Sequence, residues 1–482
     1  MEVAVIGGGI AGLSAAWELS GRGARVTLYE PGRPGGKLLT TEFLGRPVDE
    51  GPDALLARVP EGVDLCRELG LAGELVAPAA GRAMLWANGR LRALPEGLVL
   101  GAPARILPLA RSGIVSPLGM ARALGDLFLP RRPLAGDASV FDLVAGRFGS
   151  EVAEKLIEPL VGSIYAGTTR GLSAATTAPQ LLRAAKDKRS LMLSLRRASR
   201  HPPGRPAGEA PPPTFLAPRR GLGSIAATLV ERLTGERGVR IVQAAVTGLQ
   251  APRPASGTGQ HLVTVSTAAA EQRYDGVVLT APAPVSAQLL EAVLAGSPHL
   301  AQLARVPFSS VAIVTLGFRQ GALEVPEGLS GALVAPGTGM LMTACSFGSN
   351  KWPHWSEPDI SVVRVSVGKV DDDRWTDLDD DELVARSCAE LGTVLAGRRG
   401  TGAPEPVPGG TRVSRWPSAL PQYAVGHLDV MAGLRSDLAE VAPTVGVAGA
   451  SFGRVGVPAN IADGRRAAAA VFDSVNDRSQ PS

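Results

Sequence analysis

Gly7, Gly9 and Gly12 stand in the spacing G-x-G-x-x-G, directly after the apolar run EVAVI and directly before LSAAWELSGRG. Glycines so spaced permit a tight turn, let backbone approach a pyrophosphate, and let a helix pack closely on a strand. The residues between them, Gly8, Ile10 and Ala11, belong to the same turn. The helix N-terminus that follows offers unbonded N–H groups and a positive dipole end to phosphate. Glu30 closes the next strand-like run, ARVTLYE, eighteen residues after Gly12. A carboxylate there accepts hydrogen bonds from a ribose hydroxyl pair and repels a 2′-phosphate. Strand, turn, helix and acid together predict a bound dinucleotide.

A second glycine pair, Gly35-Gly36, precedes Lys37. That lysine either neutralises cofactor phosphates, which favours FAD over NAD, or is solvated on its loop. Near the other end of the chain, GRVGVPANIADGRRAA reads as a turn and then a helix starting around Pro458–Asn460. Such a helix can aim its N-terminus at the N1–C2=O edge of a flavin, where the reduced ring carries negative charge. It serves equally as a terminal docking helix.

Other chemistries find less support. Cys66, Cys345 and Cys388 lie far apart with no CxxC pattern, and the five histidines are equally dispersed, so no metal site is expected. The cysteines imply a reducing compartment, and MEVAVIGGG shows no leader pattern, so a cytoplasmic location is expected. A net charge of +4 rests on arginine, since lysine occurs only six times. Without aromatic interleaving this is no nucleic-acid signature, and it suits a carboxylate-bearing substrate equally well.

The elements that must position these residues follow from pattern. At 482 residues the chain should divide into several regions. Asn88-Gly89 between apolar runs predicts a tight hairpin, and Ser139 with Asp142 predicts a helix cap. Gly328 to Asn350 is uncharged and long enough to span a bilayer, but Pro336 and its glycines favour strand and turn. The acidic run DDDRWTDLDDDEL should end in the first turn of a helix. We expect an α/β fold with α+β insertions, a Rossmann-type cofactor domain assembled from separated segments, a mixed-sheet substrate domain and a helical insertion. The expected cofactor segments are 1–60, 219–285 and 426–475, and the substrate segments 61–94 and 286–425. A helical insertion with a surface for membrane contact occupies 95–200, and a proline-rich loop 201–218.

The sequence resembles the protoporphyrinogen and coproporphyrinogen oxidases, within the flavin amine-oxidase superfamily, over nearly its whole length. The resemblance rests on GGGIAGLSAAWEL, PGGKLLT, DEGPDALL, LWANGRLRALP, EKLIEPLVGSIYAGT, LTAPAP, RWPSALPQYAVGH and GRVGVPANIADGRRAA. IEPLVGSIYAGT and RWPSALPQYAVGH separate this family from amine oxidases and carotene desaturases. Ala459 and Asn460 depart from the cysteine or aspartate that members commonly have nearby. The resemblance implies FAD contacts at Gly7–Gly12, Glu30, Lys37, Gly51, Pro52, Asp53, Ala54, Val246, Trp416, Gly456, Val457 and Pro458. Trp416 is otherwise a core aromatic.

For the substrate, the resemblance implies Gly167, where a β-carbon would project into the site of a flat macrocycle, and Arg82, which would pair with a propionate. The plainer alternatives are a helix-capping glycine and a surface arginine. The implied reaction removes six electrons from a porphyrinogen in haem biosynthesis, in three cycles at flavin N5, with oxygen as acceptor. Coproporphyrinogen III is favoured over protoporphyrinogen IX, and the product would pass to a ferrochelatase-type enzyme. No catalytic side chain is identified. The rival readings are an amine oxidase or carotenoid-type desaturase and a non-catalytic flavin-fold binding protein. Lys351 or Lys369 could serve an amine oxidase as its lysine near N5, but their charged surroundings suggest the surface.

Overall fold

Side chains alternate sides along the strand Glu2–Ile6: Val3 and Val5 enter one core, Ala4 and Ile6 another. A strand buried on both faces belongs at the centre of a parallel sheet. In the computed structural model, which describes residues 1–130, 136–187, 189–200, 213–251, 262–356, 359–396 and 406–479, that is its place. Five parallel strands run in the order Arg240–Val242, Arg25–Tyr29, Glu2–Ile6, Gly276–Leu279, Val445–Val447. They come from three separated stretches of chain. One face is covered by the helices Ile10–Gly21, Gly223–Gly235 and Val457–Ser479. The other is covered by a three-stranded antiparallel sheet and by the helices Ala283–Leu290, Pro298–Ala304 and His427–Val441.

The second sheet has seven strands, in the order Gly410–Pro421, Phe308–Arg319, Ile360–Val367, Met342–Phe347, Leu329–Val334, Arg82–Ala87, Arg90–Ala93. All neighbours are antiparallel except Arg82–Ala87 against Leu329–Val334. The last two strands form the expected hairpin, with Asn88 and Gly89 both at positive φ, as a two-residue primed turn requires. The uncharged stretch folds into the strands Leu329–Val334 and Met342–Phe347 joined by a glycine turn. No helix among the described residues is long and apolar enough to cross a membrane.

Residues 95–200 are mainly helical around their own core, with Phe148, Leu156, Ile157, Leu181 and Leu195 fully buried. Ser139 caps Val140–Phe148 by accepting the Asp142 N–H at 3.0 Å. Over Ala153–Gly162 the chain winds as a π-helix that contains Pro159, whose missing N–H could not serve a regular ladder. In the acidic run Asp379 and Glu382 cap each other's backbone ahead of Asp380–Ala396.

Two expected boundaries move. The helix Pro60–Glu68, expected to open the substrate region, buries Leu65 and Cys66 in the cofactor-side core. The helices between 283 and 304 likewise pack on the parallel sheet. The proline-rich expectation over 201–212 lies outside the described residues, while Phe215–Pro218 is a strand between Leu55–Leu56 and Leu75–Val76.

The first and last helices touch backbone to backbone. A β-carbon at Gly464 would overlap the Ala11 carbonyl oxygen. Gly464→Ala should therefore destabilise the fold by about 1–3 kcal/mol, outweighing the roughly 1 kcal/mol alanine gains in a helix. A thermal unfolding midpoint equal to or above that of the parent would contradict this close crossing.

Candidate cofactor and substrate site

The glycine turn is locked from both sides. Gly7 has φ +104°, its N–H donates to the Tyr29 carbonyl at 2.9 Å, and its own carbonyl accepts Thr280 Oγ1 at 2.9 Å. A β-carbon at Gly12 would overlap that carbonyl, so the helix meets the strand here without side chains between them. Gly9 caps Ile10–Gly21 with no side-chain hydrogen bond, and a β-carbon on Gly9 would enter open space. The first-turn N–H groups are therefore left uncovered, at a helix end whose dipole favours an anion.

Glu30 stands over the turn, one oxygen accepting the Gly8 N–H at 2.7 Å and the other the Gly32 N–H at 2.9 Å. Each oxygen keeps a lone pair for a hydroxyl. The Gly35-Gly36 loop folds back, with the Gly35 N–H on the Gly8 carbonyl at 2.8 Å. Lys37 reaches solvent, yet surrounding protein pulls its ammonium below the ordinary lysine value. Its ammonium has no hydrogen bond or ion pair among the described residues.

Gly51 is pressed against the Lys37 carbonyl, and Trp416, half-buried, donates Nε1 to the Glu50 carbonyl at 3.0 Å. Lys37, Gly51 and Trp416 are thus one locality. Pro52 is exposed, and Ala54 packs beside the buried Trp352 and Trp355. Asp53 is different: its carboxylate is taken by Lys351 Nζ at 2.9 and 3.0 Å, Trp352 Nε1 at 3.1 Å and Arg364 at 3.5 Å. Burial alone would raise its carboxyl, but Lys351 and then Arg364 hold it at about 2. Only the Asp53 backbone is left for a cofactor, and Lys351 is a part-buried ion-pair partner rather than a surface residue.

Gly456, at φ +129°, opens the closing helix, and a β-carbon there would also enter open space. Val457 is buried and Pro458 packs on Gly62. Val246, half-buried, starts a strand just beyond Val242, whose carbonyl accepts the Glu30 N–H at 3.1 Å.

Gly167 lines a cavity of about 290 Å³ between the π-helical segment and the turns at 334–343 and 368–374. A β-carbon on it would strike the Gln422 side-chain oxygen, not the cavity, so its glycine answers to packing. The αL residue ending the preceding helix is Ala166, and Gly167 follows it, donating to the Gly162 carbonyl at 3.0 Å. Gln422 donates to the Tyr165 carbonyl at 2.8 Å, and the Tyr165 and Tyr423 rings meet edge-on at 6.0 Å. The segments IEPLVGSIYAGT and RWPSALPQYAVGH therefore form one corner. Arg82 is exposed, donates to the Glu327 carbonyl at 2.7 Å and does not line the cavity. It pairs near Leu329, whereas the cavity residue Val334 pairs with Trp86, about 13 Å further along the strand at ~3.3 Å per residue. Sequence reading missed Asp53–Lys351–Arg364; the signal was a single arginine inside the apolar strand ISVVRVSV.

A parallel sheet with this glycine turn, joined to a second sheet beside a cavity, defines a two-part flavoprotein. The chain belongs to the flavin containing amine oxidoreductase family, whose sequence profile matches residues 10–472. It is 33% identical to the coproporphyrinogen III oxidase of Bacillus subtilis (strain 168) over 98% of both chains. It is 31% identical to the enzyme of that name from Staphylococcus aureus, over 98% of this chain and 99% of the other. A solved structure from Exiguobacterium sp. 255-15, provisionally titled a protoporphyrinogen oxidase, superimposes with TM-score 0.82 at 28% identity, covering 98% and 99% of the two chains. The protein is an FAD-dependent oxidoreductase, and the open cradle at Gly9, the Glu30 carboxylate and the unpartnered Lys37 fit FAD.

Glu30→Gln should weaken FAD retention by about ten- to hundredfold, the worth of charge-assisted hydrogen bonds of roughly 1.5–3 kcal/mol. Flavin fluorescence on dilution measures it, and undiminished retention in a folded variant would remove Glu30 from the ribose site.

Proposed function

We propose that this chain oxidises coproporphyrinogen III to coproporphyrin III. The observation that carries the reading is the corner around Gly167. The two segments that set porphyrinogen oxidases apart from amine oxidases in sequence lie far apart along the chain, yet pack together at the wall of one cavity. Full-length similarity to coproporphyrinogen III oxidases supports it.

Bound FAD supplies the two-electron acceptor. Three rounds, each removing a hydride and a proton, take the porphyrinogen to the porphyrin, and three oxygen molecules leave as three of peroxide. The chain's part is holding and orienting. Glu30, the helix N-terminus at Gly9 and Lys37 would hold the cofactor, with backbone at Gly51–Ala54, Val246, Trp416 and Gly456–Pro458 as its further contacts. Glu158 and Asp372 line the cavity but are committed elsewhere: Glu158 to Thr169, at 2.8 Å from its N–H, and Asp372 to Arg374 at 2.6 Å. Arg374 and then Lys369 hold the Asp372 carboxyl low. Asp372 has both oxygens on Arg374 and Glu158 has one on Thr169; no side chain is assigned the role of a base, and positioning is the protein's contribution. Arg82 and Gly167 would meet different edges of a broad substrate. The product would be handed to a ferrochelatase-type enzyme.

FAD-loaded protein should turn over both porphyrinogens aerobically, with kcat/KM higher for coproporphyrinogen III and three peroxides per porphyrin by fluorescence and peroxide assay. A preference for protoporphyrinogen IX would reverse the substrate, and no turnover of either would remove the function. Arg82→Ala should raise KM more than it lowers kcat, because a propionate pair is equally strong in ground and transition states.

The helices Ile106–Ser112 and Pro117–Leu124 expose Leu107 and Leu118, and Phe128 follows, beside exposed Arg105, Arg111 and Arg122. This apolar and basic face supports peripheral docking of a cytoplasmic protein on an anionic bilayer. Sedimentation with anionic vesicles should be lost in Leu118→Asp/Phe128→Asp; equal sedimentation of the double variant would dismiss the surface.

A further inference from the structure

Four charged residues line the cavity beside Gly167: Glu158, Lys369, Asp372 and Arg374. Three are already engaged. The Glu158 carboxylate accepts both the N–H and the hydroxyl of Thr169. Arg374 grips Asp372 at two points, 2.7 and 2.6 Å, and also donates to the carbonyls of Gly339 and Met340 at 3.3 and 3.2 Å. Lys369 remains. Its ammonium makes no hydrogen bond and no ion pair among the described residues, though its charge is felt by the Asp372 carboxyl.

The backbone carrying Lys369 is held firmly. Gly368 sits at φ +91°, with the Ser310 carbonyl and the Trp375 ring so close that no β-carbon fits. Asp372 N–H donates to the Lys369 carbonyl at 3.0 Å, and Val370 N–H to the Ala166 carbonyl at 2.8 Å. The lysine therefore rides on a turn pinned to the same corner as Gly167. Met340, Met342, Val334 and Pro159 give the cavity apolar walls. At about 290 Å³ it falls at the lower end of the ~300–1,000 Å³ common for small-molecule sites. That volume suits one edge of a macrocycle with a single carboxylate arm rather than the whole ring.

We propose that Lys369 is a substrate-binding residue that pairs with a propionate of the porphyrinogen at the Gly167 edge of the site. The assignment rests on the porphyrinogen reading above and adds a second carboxylate anchor to Arg82, at another edge of the ring. An ammonium is a compact point charge on a flexible stem, so it can follow the flexible carboxylate arm of a puckered, unconjugated substrate.

The test compares wild type with Lys369→Met, Lys369→Gln and Lys369→Arg, each FAD-loaded, using coproporphyrinogen III. The Met and Gln variants should raise KM about tenfold with kcat within about twofold, while Arg restores most of the affinity. Binding of coproporphyrin III, followed by fluorescence quenching, should weaken in parallel. Added salt should raise KM less steeply in Lys369→Met than in wild type, because the variant keeps only the Arg82 pair to screen. Turnover by wild type with unchanged KM and product affinity in both neutral variants would overturn the role of Lys369 and leave the porphyrinogen reading standing. A wild type that binds neither coproporphyrin III nor its porphyrinogen would overturn that reading itself.

Discussion

Three contacts of bare backbone govern this molecule: the Gly7 carbonyl against Gly12, the Ala11 carbonyl against Gly464, and the Lys37 carbonyl against Gly51. Each joins separate stretches of chain at a distance no side chain tolerates. The first sets the helix Ile10–Gly21 directly on the strand before it, with its N-terminus uncovered at Gly9. The second lays the closing helix across the first one, which brings Gly456 and Val457 into the same cleft. The third fixes the loop at Gly51–Ala54 against the loop that carries Lys37. Apolar burial supplies most of the stability of such a fold, but these contacts decide where the cleft lies.

Between the two sheets the joint is electrostatic. Asp53 lies on the loop leaving Gly51, while Lys351 and Arg364 belong to the region of the seven-stranded sheet; Arg364 also donates to the Gly51 carbonyl. Burying three charges is costly unless each finds a partner, and removing one partner then costs on the order of 3–5 kcal/mol. The arrangement therefore gains geometry more surely than stability. It ties the backbone at Gly51 to the strand Ile360–Val367, whose end runs into the turn bearing Lys369. The Gly51 loop and the cavity beside Gly167 are positioned by the same strand.

What could be read from the sequence follows the range of the physics involved. The glycine turn, the Asn88-Gly89 hairpin and the Ser139 cap are local rules, and the structure contains all three. The composite parallel sheet was legible because each contributing strand has its own apolar run. Contacts between distant segments were not. Nothing adjacent to Gly167 announces Gln422, so the sequence offered a cavity wall or a helix cap for this glycine but not the packing contact that excludes a β-carbon. Lys351 and Lys369 look like surface residues beside polar neighbours, and only the fold reveals one in a buried pair and the other beside a cavity. Arg364 was missed as well, although a charge in the middle of a buried strand demands a partner wherever it lies.

The lysines show how far this logic extends. In a chain that relies on arginine for nearly all its positive charge, Lys155 pairs with Glu151 and Lys351 with Asp53. Lys37 and Lys369 are instead the described lysines for which no partner is present. One follows the Gly35-Gly36 loop beside the glycine turn and the other lines the cavity beside Gly167, and the roles proposed for them give each an anion, a phosphate for the first and a carboxylate for the second. Arginine's rigid fork would be drawn to nearby carbonyls, as Arg82, Arg364 and Arg374 are. A lysine has one small charge and fewer ways to satisfy it within the protein. At both positions the residue best able to remain available to a ligand is the one the chain uses.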